Sequence, residues 1–246
     1  MLEPGQKIGD YRIEARAGAG GMGEVYRARR ADGEPVALKL MRGDALEERF
    51  DREVEVLAAL IHPGIARYLD HGHADAGPYL VMEWVDGPSL HEHLRMRRMG
   101  LAEVRTLGVR LAEALAVAHQ AGIVHRDVKP ANVLLPAGRI EQAKLCDFGL
   151  ARAIRRPNLT VSGDFMGTLR YVAPEQARDA KSVAASADVY SLGAVLFECL
   201  AGSPAIAEED PVNVLAKLVL APTPRLREVL PSVARQVDDT VALLMA

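Results

Sequence analysis

Cysteine is scarce in this chain of 246 residues: only Cys146 and Cys199 occur. Both sit in apolar runs, which excludes a disulfide framework and predicts buried free thiols in a reducing compartment. An excess of one charge is also missing. The formal net charge is −3, and the pairs Arg29-Arg30, Arg97-Arg98 and Arg155-Arg156 are scattered among acids. Such pairs read as solvated surface, so no nucleic-acid partner is expected. Long hydrophobic runs are absent too. The longest, Val189 to Leu200, is broken by Ser191, Gly193 and Glu198 and is too short to span a bilayer. The start, Met1-Leu2-Glu3-Pro4-Gly5, has neither the basic nor the apolar stretch of a signal peptide. No internal repeat or low-complexity segment stands out. These absences predict a soluble cytoplasmic domain with no membrane contact of its own, whether alone or as part of a longer anchored protein. The length suffices for one large domain or two lobes sharing a cleft.

What is present divides into two regimes. Tyr11 to Ala15 alternates, a glycine cluster intervenes, and Val25 to Arg29 resumes the strand pattern. Asp32-Gly33 signals a hairpin into Val36-Ala37-Leu38-Lys39-Leu40, where Ala37 and Lys39 share one face of the strand. A lysine on the inner side of a sheet needs an acidic partner or a ligand anion. In the next segment Leu46, Phe50, Leu57 and Leu60 recur at helical spacing with Glu53 on the same stripe. A carboxylate on a buried helix face is costly unless paired. Glu53 therefore either meets Lys39 or reaches out to the helix edge.

Tyr79 to Val85 reads as another strand, ended by the hinge candidate Asp86-Gly87-Pro88. Beyond it the period becomes helical: Leu107, Leu111, Leu115 and Ala118 form one face, with Gly122 as the stop. Val189 to Leu200 is apolar nearly all round, as in a central helix, with Gly202 as its cap. The expected architecture is α+β and bilobal: a small antiparallel β lobe with one helix, at about residues 1–85, and a larger mostly α lobe, at about 86–246.

Chemistry concentrates in His125-Arg126-Asp127-Val128-Lys129-Pro130-Ala131-Asn132 and Asp147-Phe148-Gly149. Two carboxylates, an ammonium, a carboxamide and a guanidinium in so short a stretch are expensive to desolvate, which points to a functional cluster. The order fits H-R-D-x-x-x-x-N followed by D-F-G. Upstream, Gly18-Ala19-Gly20-Gly21-Met22-Gly23-Glu24-Val25 fits G-x-G-x-x-G-x-V. Its glycines let backbone N–H groups approach phosphate oxygens. A dinucleotide-binding fold would need a helix directly after them, whereas the β-like Val25 to Arg29 follows.

On these motifs, over nearly the whole chain from about Gly9, the sequence resembles the protein-kinase family. It is most similar to the bacterial eukaryotic-like serine/threonine kinases, through Gly-Gly-Met-Gly and Ala173-Pro174-Glu175-Gln176. The resemblance implies ATP under the glycine loop of Gly18, Gly20 and Gly23, with Val25 and Ala37 above the adenine and Leu134 below. Glu83 and Val85 would offer hinge backbone groups, and Met82 would be the gatekeeper. It further implies γ-phosphoryl transfer to protein hydroxyls, a reaction driven by positioning and charge neutralisation. Asp127 would accept the hydroxyl proton, Lys129 would neutralise the γ-phosphate, and Lys39 braced by Glu53 would hold the α and β phosphates. Asn132 and Asp147 would bind Mg²⁺. Lys129, two residues after Asp127, is the serine/threonine pattern. His125 would be a packing and hydrogen-bonding residue, and Asp188 would receive backbone N–H bonds from the catalytic loop.

Leu150 to Val172 corresponds to an activation loop, with Thr160 and Ser162 as autophosphorylation candidates that Arg126 could pair with. Thr168 and Ala173-Pro174-Glu175 would dock a protein substrate, and a homodimer through the β lobe is a family habit. Three departures stand out. Ala17 replaces a bulkier aliphatic residue before the glycines, and Leu169 replaces a frequent proline. The sequence also stops, as a truncated domain would, before the arginine that in the family pairs with the Glu of Ala-Pro-Glu, so Glu175 is expected to lack that partner. The rival readings are a nucleotide-binding pseudokinase or scaffold, whose mark would be loss of Lys39, Asp127, Asn132 or Asp147, and a small-molecule phosphotransferase, which would lack Ala-Pro-Glu.

Overall fold

Residues 1–20, 23–41, 54, 56–148, 167–178 and 183–246 are described by the computed structural model of the chain. Six strands form one antiparallel sheet in the order β1-β2-β3-β4-β6-β5. They are β1 (Lys7–Ile8), β2 (Tyr11–Gly20), β3 (Gly23–Arg29), β4 (Pro35–Met41), β5 (Tyr68–Ala74) and β6 (Gly77–Glu83). The hairpin read from Asp32-Gly33 joins β3 to β4, with Gly33 at φ 89°. β6 begins two residues before the expected strand and ends at Glu83, because the chain leaves the ladder there for the turn at Asp86-Gly87-Pro88.

Register decides what each face carries. Val25 lies opposite Lys39, which lies opposite Leu80, and Arg27 lies opposite Ala37, which lies opposite Met82. Residues directly opposed in a ladder share a face, so Val25, Lys39, Arg27, Ala37 and Met82 all look the same way. The other face carries Tyr26, Leu38 and Val81, packed with Leu2, Ile8, Tyr11 and Ile13 into a small core.

The α-helices that follow the sheet among the described residues are α1 (Leu90–Met96), α2 (Leu101–Gln120), α3 (Pro174–Arg178), α4 (Ala185–Ala201), α5 (Pro211–Leu220), α6 (Leu226–Val229) and α7 (Arg235–Leu244). A two-stranded ladder, β7 (Val133–Leu134) with β8 (Lys144–Leu145), lies among them. α2 buries Leu107, Leu111, Leu115 and Ala118, the stripe expected from the sequence. α4 is buried along most of its length and ends at Gly202 in the left-handed region. The C-terminal end of α7 approaches α4 so closely that a Cβ on Gly193 would lie 2.6 Å from the Met245 side chain. Cys146 and Cys199 are free thiols, as expected, but only Cys199 is fully buried; Cys146 is partly exposed. Among the described residues no helix is long and apolar enough to cross a membrane.

Candidate active site

The turn after Glu83 is stitched to the helical part. Leu135 N–H donates to Pro88 O at 2.9 Å, Ala137 N–H donates to Asp86 O at 2.8 Å, and Ser89 bridges Leu134. Gly87 makes this possible. It sits at φ 155°, and a Cβ there would lie 2.0 Å from Leu135 O. Ser89 and Glu92 then form a reciprocal capping box that starts α1. The Glu83 side chain adds a tie of its own, accepting from Arg67 N–H at 2.8 Å and pairing with Lys144 Nζ at 2.5 Å. A second attachment lies behind it. Leu145 N–H donates to Gly64 O, Ala66 N–H donates to Leu145 O, and Arg110 donates to Pro63 O at 2.6 Å and Ala143 O at 3.2 Å.

The β2–β3 hairpin carries the glycine cluster, with Gly20 paired to Gly23 and Gly18 paired to Val25. A strand does follow the glycines. Gly23 is forced: at φ 157°, a Cβ would meet Leu40 O at 2.1 Å. Beneath this sheet Lys39 is buried and pairs with Asp147 at 2.9 Å. Burial opposes ionisation of the Asp147 carboxyl, but the Lys39 ammonium outweighs it and holds the group below its ordinary value. Glu53, the other expected partner of Lys39, lies outside the described residues. So do Thr160 and Ser162.

The catalytic-loop candidates converge around Asp127. Its Oδ2 accepts from Asn132 Nδ2 at 2.9 Å and pairs with Lys129 Nζ at 2.9 Å. Asn132 Nδ2 also donates to Asp127 O at 2.7 Å, and Lys129 donates to Thr168 Oγ1 at 2.7 Å. The other carboxylate oxygen, Asp127 Oδ1, is buried and has no hydrogen-bond partner among the described residues. With both amide hydrogens of Asn132 spent on Asp127, its carbonyl oxygen is what it can offer a cation.

His125 is structural, as expected. Its ring is fully buried and tilted against Phe148 at 4.5 Å between centroids. Nδ1 accepts from Asp127 N–H at 3.2 Å, and Nε2 faces Cys146 O at 2.9 Å, so the hydrogen-bond pattern assigns the proton to Nε2. Arg126 and Asp147 both take positive φ, 67° and 65°, a strained choice for residues with side chains. Asp188 holds the first of these in place. It is fully buried at the start of α4, and it accepts from Arg126 N–H and His125 N–H at 2.7 Å each. His119 Nε2 adds a third contact at 2.7 Å. The Asp188 expectation is met.

Arg126, named as a partner for a phosphorylated Thr160 or Ser162, is half-buried, and its carbonyl accepts from Gln176 Nε2. Glu175, expected to lack its arginine partner, is half-buried and accepts from Ser186 Oγ at 3.2 Å. A nearby hydroxyl and partial hydration relieve it. Leu169 is buried at 3% exposure, so the residue standing in the proline position packs into the core. Sequence reasoning does not single out Arg110, Lys144, His119 or Arg27. Each acts on a residue distant in the chain, and only the Ser-x-x-Glu cap of α1 has a local signal.

Val25, Ala37, Met82, Glu83, Val85 and Leu134, the expected lining of the nucleotide site, are all partly exposed. Among the described residues no cluster of three or more His, Cys, Asp or Glu could hold a metal alone.

The protein kinase domain family matches residues 11–240. Two curated relatives are Mycobacterium tuberculosis proteins. The chain is 38% identical over 259 residues to the serine/threonine-protein kinase PknJ, with all of this chain and 43% of the relative covered. It is 38% identical over 246 residues to the serine/threonine-protein kinase PknA, with 94% of this chain and 56% of the relative covered. The chain thus spans about half the length of these relatives. The crystal structure of the Mycobacterium tuberculosis PknI kinase domain superposes with a TM-score of 0.78 at 30% identity, covering 100% of this chain and 92% of that one. With a match over nearly its whole length, the chain belongs to the protein kinase domain family.

Proposed function

We propose that the chain is the catalytic domain of a serine/threonine protein kinase, two lobes meeting at Asp86-Gly87-Pro88, that moves the γ-phosphoryl group of ATP to protein hydroxyls. The observation carrying this is Asp127: one carboxylate oxygen is held by Lys129 and Asn132, and the other is buried without a partner. An orphaned buried acceptor is costly, and a substrate hydroxyl would satisfy it. The hydroxyl oxygen attacks the γ-phosphorus, the bond to the β-phosphate oxygen breaks to leave ADP, and the proton passes to Asp127 Oδ1.

Lys39 would hold the α and β phosphates, and Lys129 the transferring group. Gly18, Gly20 and Gly23 would bring backbone N–H groups to the phosphates. Val25 and Ala37 above and Leu134 below would enclose the adenine, with Glu83 O and Val85 N–H at its edge. Asn132 and Asp147 fit a Mg²⁺ ion: both offer oxygen, Asp147 stays ionised, and a hard cation held partly by phosphates needs few protein ligands. When bound, that ion would neutralise charge between the phosphates. Thr168, tied to Lys129, would place the docking segment of a protein substrate beside Asp127. Thr160 and Ser162 are the proposed autophosphorylation positions. Free thiols support a reducing, cytoplasmic setting.

The test is transfer from γ-labelled ATP to the chain itself and to a basic protein, with Mg²⁺ or with chelator, alongside Asp127→Asn. Label on serine or threonine, lost with chelator and in Asp127→Asn, is expected, and mass spectrometry should find it at Thr160 or Ser162. Bound ATP without transfer would overturn the reading in favour of a scaffold. Faster transfer to small acceptors than to any protein would overturn the substrate class.

A further inference from the structure

The cleft-facing row Arg27–Ala37–Met82 ends against Trp84, the only tryptophan in the chain. Arg27 Cζ lies 5.2 Å from the Trp84 ring centroid, inside the distance at which a ring face holds a guanidinium. Glu14, at the irregularity of β2 between Ile13 and Ala15, lies 3.2 Å from Arg27 Nε and 2.6 Å from Arg29 Nε. The contact with Arg27 is an ion pair without hydrogen-bond alignment, since Arg27 Nε is buried and lacks a hydrogen-bond partner. Trp84 Nε1 is also buried without a partner among the described residues. A buried indole N–H normally finds an acceptor.

Position along the strands says which end of a nucleotide these groups would meet. The row of Arg27 and Ala37 is two residues from the row of Val25 and Lys39, roughly 7 Å toward the hinge. Lys39 and Asp147 mark the phosphate end of the cleft, so Arg27 and Trp84 stand at the base end.

We propose that Arg27 and Trp84 form a clamp on the base side of the cleft, in which the indole walls the purine site and the guanidinium fixes the indole. The clamp rests on the reading of the cleft as an ATP site. A purine nucleoside supplies what is missing there: acceptor atoms for the indole N–H and a flat apolar face. Both are positioning residues, remote from the transferring phosphoryl group, and they act on nucleotide affinity.

The single tryptophan makes the clamp observable. Titrating ATP into the protein should shift Trp84 emission. Arg27→Met keeps the stem and removes the charge: emission without ligand should change, and KM for ATP should rise about two- to fivefold. Turnover and KM for a protein substrate should hold. Arg27→Lys should recover part of the ATP affinity, and Trp84→Phe, which keeps a ring but loses the N–H, should weaken ATP binding by calorimetry. A purely structural role would lower the melting temperature without splitting the two KM values. If ATP binds by calorimetry while Trp84 emission stays fixed and Arg27→Met binds as wild type does, the clamp is wrong and the ATP site stands. If the wild-type protein binds no ATP, both fall.

Discussion

Replacing Asp188 tests how the catalytic loop is held. Its carboxylate is fully buried and takes 2.7 Å contacts from His125 N, Arg126 N and His119 Nε2. Asp188→Asn exchanges one oxygen for an NH₂. At the Oδ1 position, that NH₂ would confront the Arg126 N–H. At the Oδ2 position it confronts the His125 N–H but can donate to His119 Nε2, provided the ring moves its proton to Nδ1. The second arrangement is cheaper. It forfeits one charge-assisted bond, worth about 1.5–3 kcal/mol, and strands one buried N–H, so a loss of about 3 kcal/mol is expected. Asp188→Ala strands all three groups and should cost at least about 5 kcal/mol.

Activity should follow the same order. Arg126 sits at φ 67°, a conformation costing about 1–3 kcal/mol and kept only where the surroundings impose it. The Asn variant retains the Arg126 bond and should keep part of its turnover, whereas the Ala variant should lose nearly all. ATP affinity should change little in either, since Lys39, Ala37 and Val25 sit on the sheet. Urea unfolding followed by circular dichroism measures the first effect, and turnover below the transition measures the second. The argument fails if Asp188→Asn lies within about 0.5 kcal/mol of wild type, the range of an ordinary surface change. It also fails if alanine proves no worse than asparagine.

Two further outcomes are expected. Gly87→Ala places a Cβ 2.0 Å from Leu135 O at φ 155°. The melting temperature should fall by about 5 °C, from roughly 2 kcal/mol of strain, and an unchanged melting curve would show that the turn can move aside. Burial pushes the Glu198 carboxyl up, although Tyr171 O–H donates to it at 2.6 Å. A raised carboxyl gives stability that is full below its unfolded value and is lost as pH rises through the folded one. Glu198→Gln should therefore be more stable than wild type at neutral pH, with the advantage vanishing toward about pH 4. Melting temperatures across that range would sink this account if the advantage grew on acidification.

The convergence of Lys129 and Asn132 on Asp127 and the strand-then-helix order are legible in the sequence, because the motif sets residue types at fixed spacing and the hydrophobic period changes from two to about 3.6. Lys39 facing the cleft follows from strand alternation alone. Other parts are set by pairings between distant residues. Glu83 with Lys144, Arg110 with Pro63 and Arg27 with Trp84 become visible only once register is known. The end of β6 is not legible in the sequence because Trp84 and Val85 are as apolar as the strand before them. Leu169 in place of a frequent proline has no local signal for its role, which is to fill core volume.

Among the described residues, two sets of backbone hydrogen bonds between the sheet and the helical part constrain how the two can move apart. One lies at residues 86–89 against Leu134, Leu135 and Ala137, the other at residues 63–66 against Leu145 and Arg110. A rigid body pinned at two places can only rotate about the line joining them. Opening is then a nod along a single coordinate, with no free swivel and no sideways slide. Glu83 and Lys144, close to that axis, scarcely travel, while Gly18 and Gly20 at the far tip of the β2–β3 hairpin sweep the widest arc.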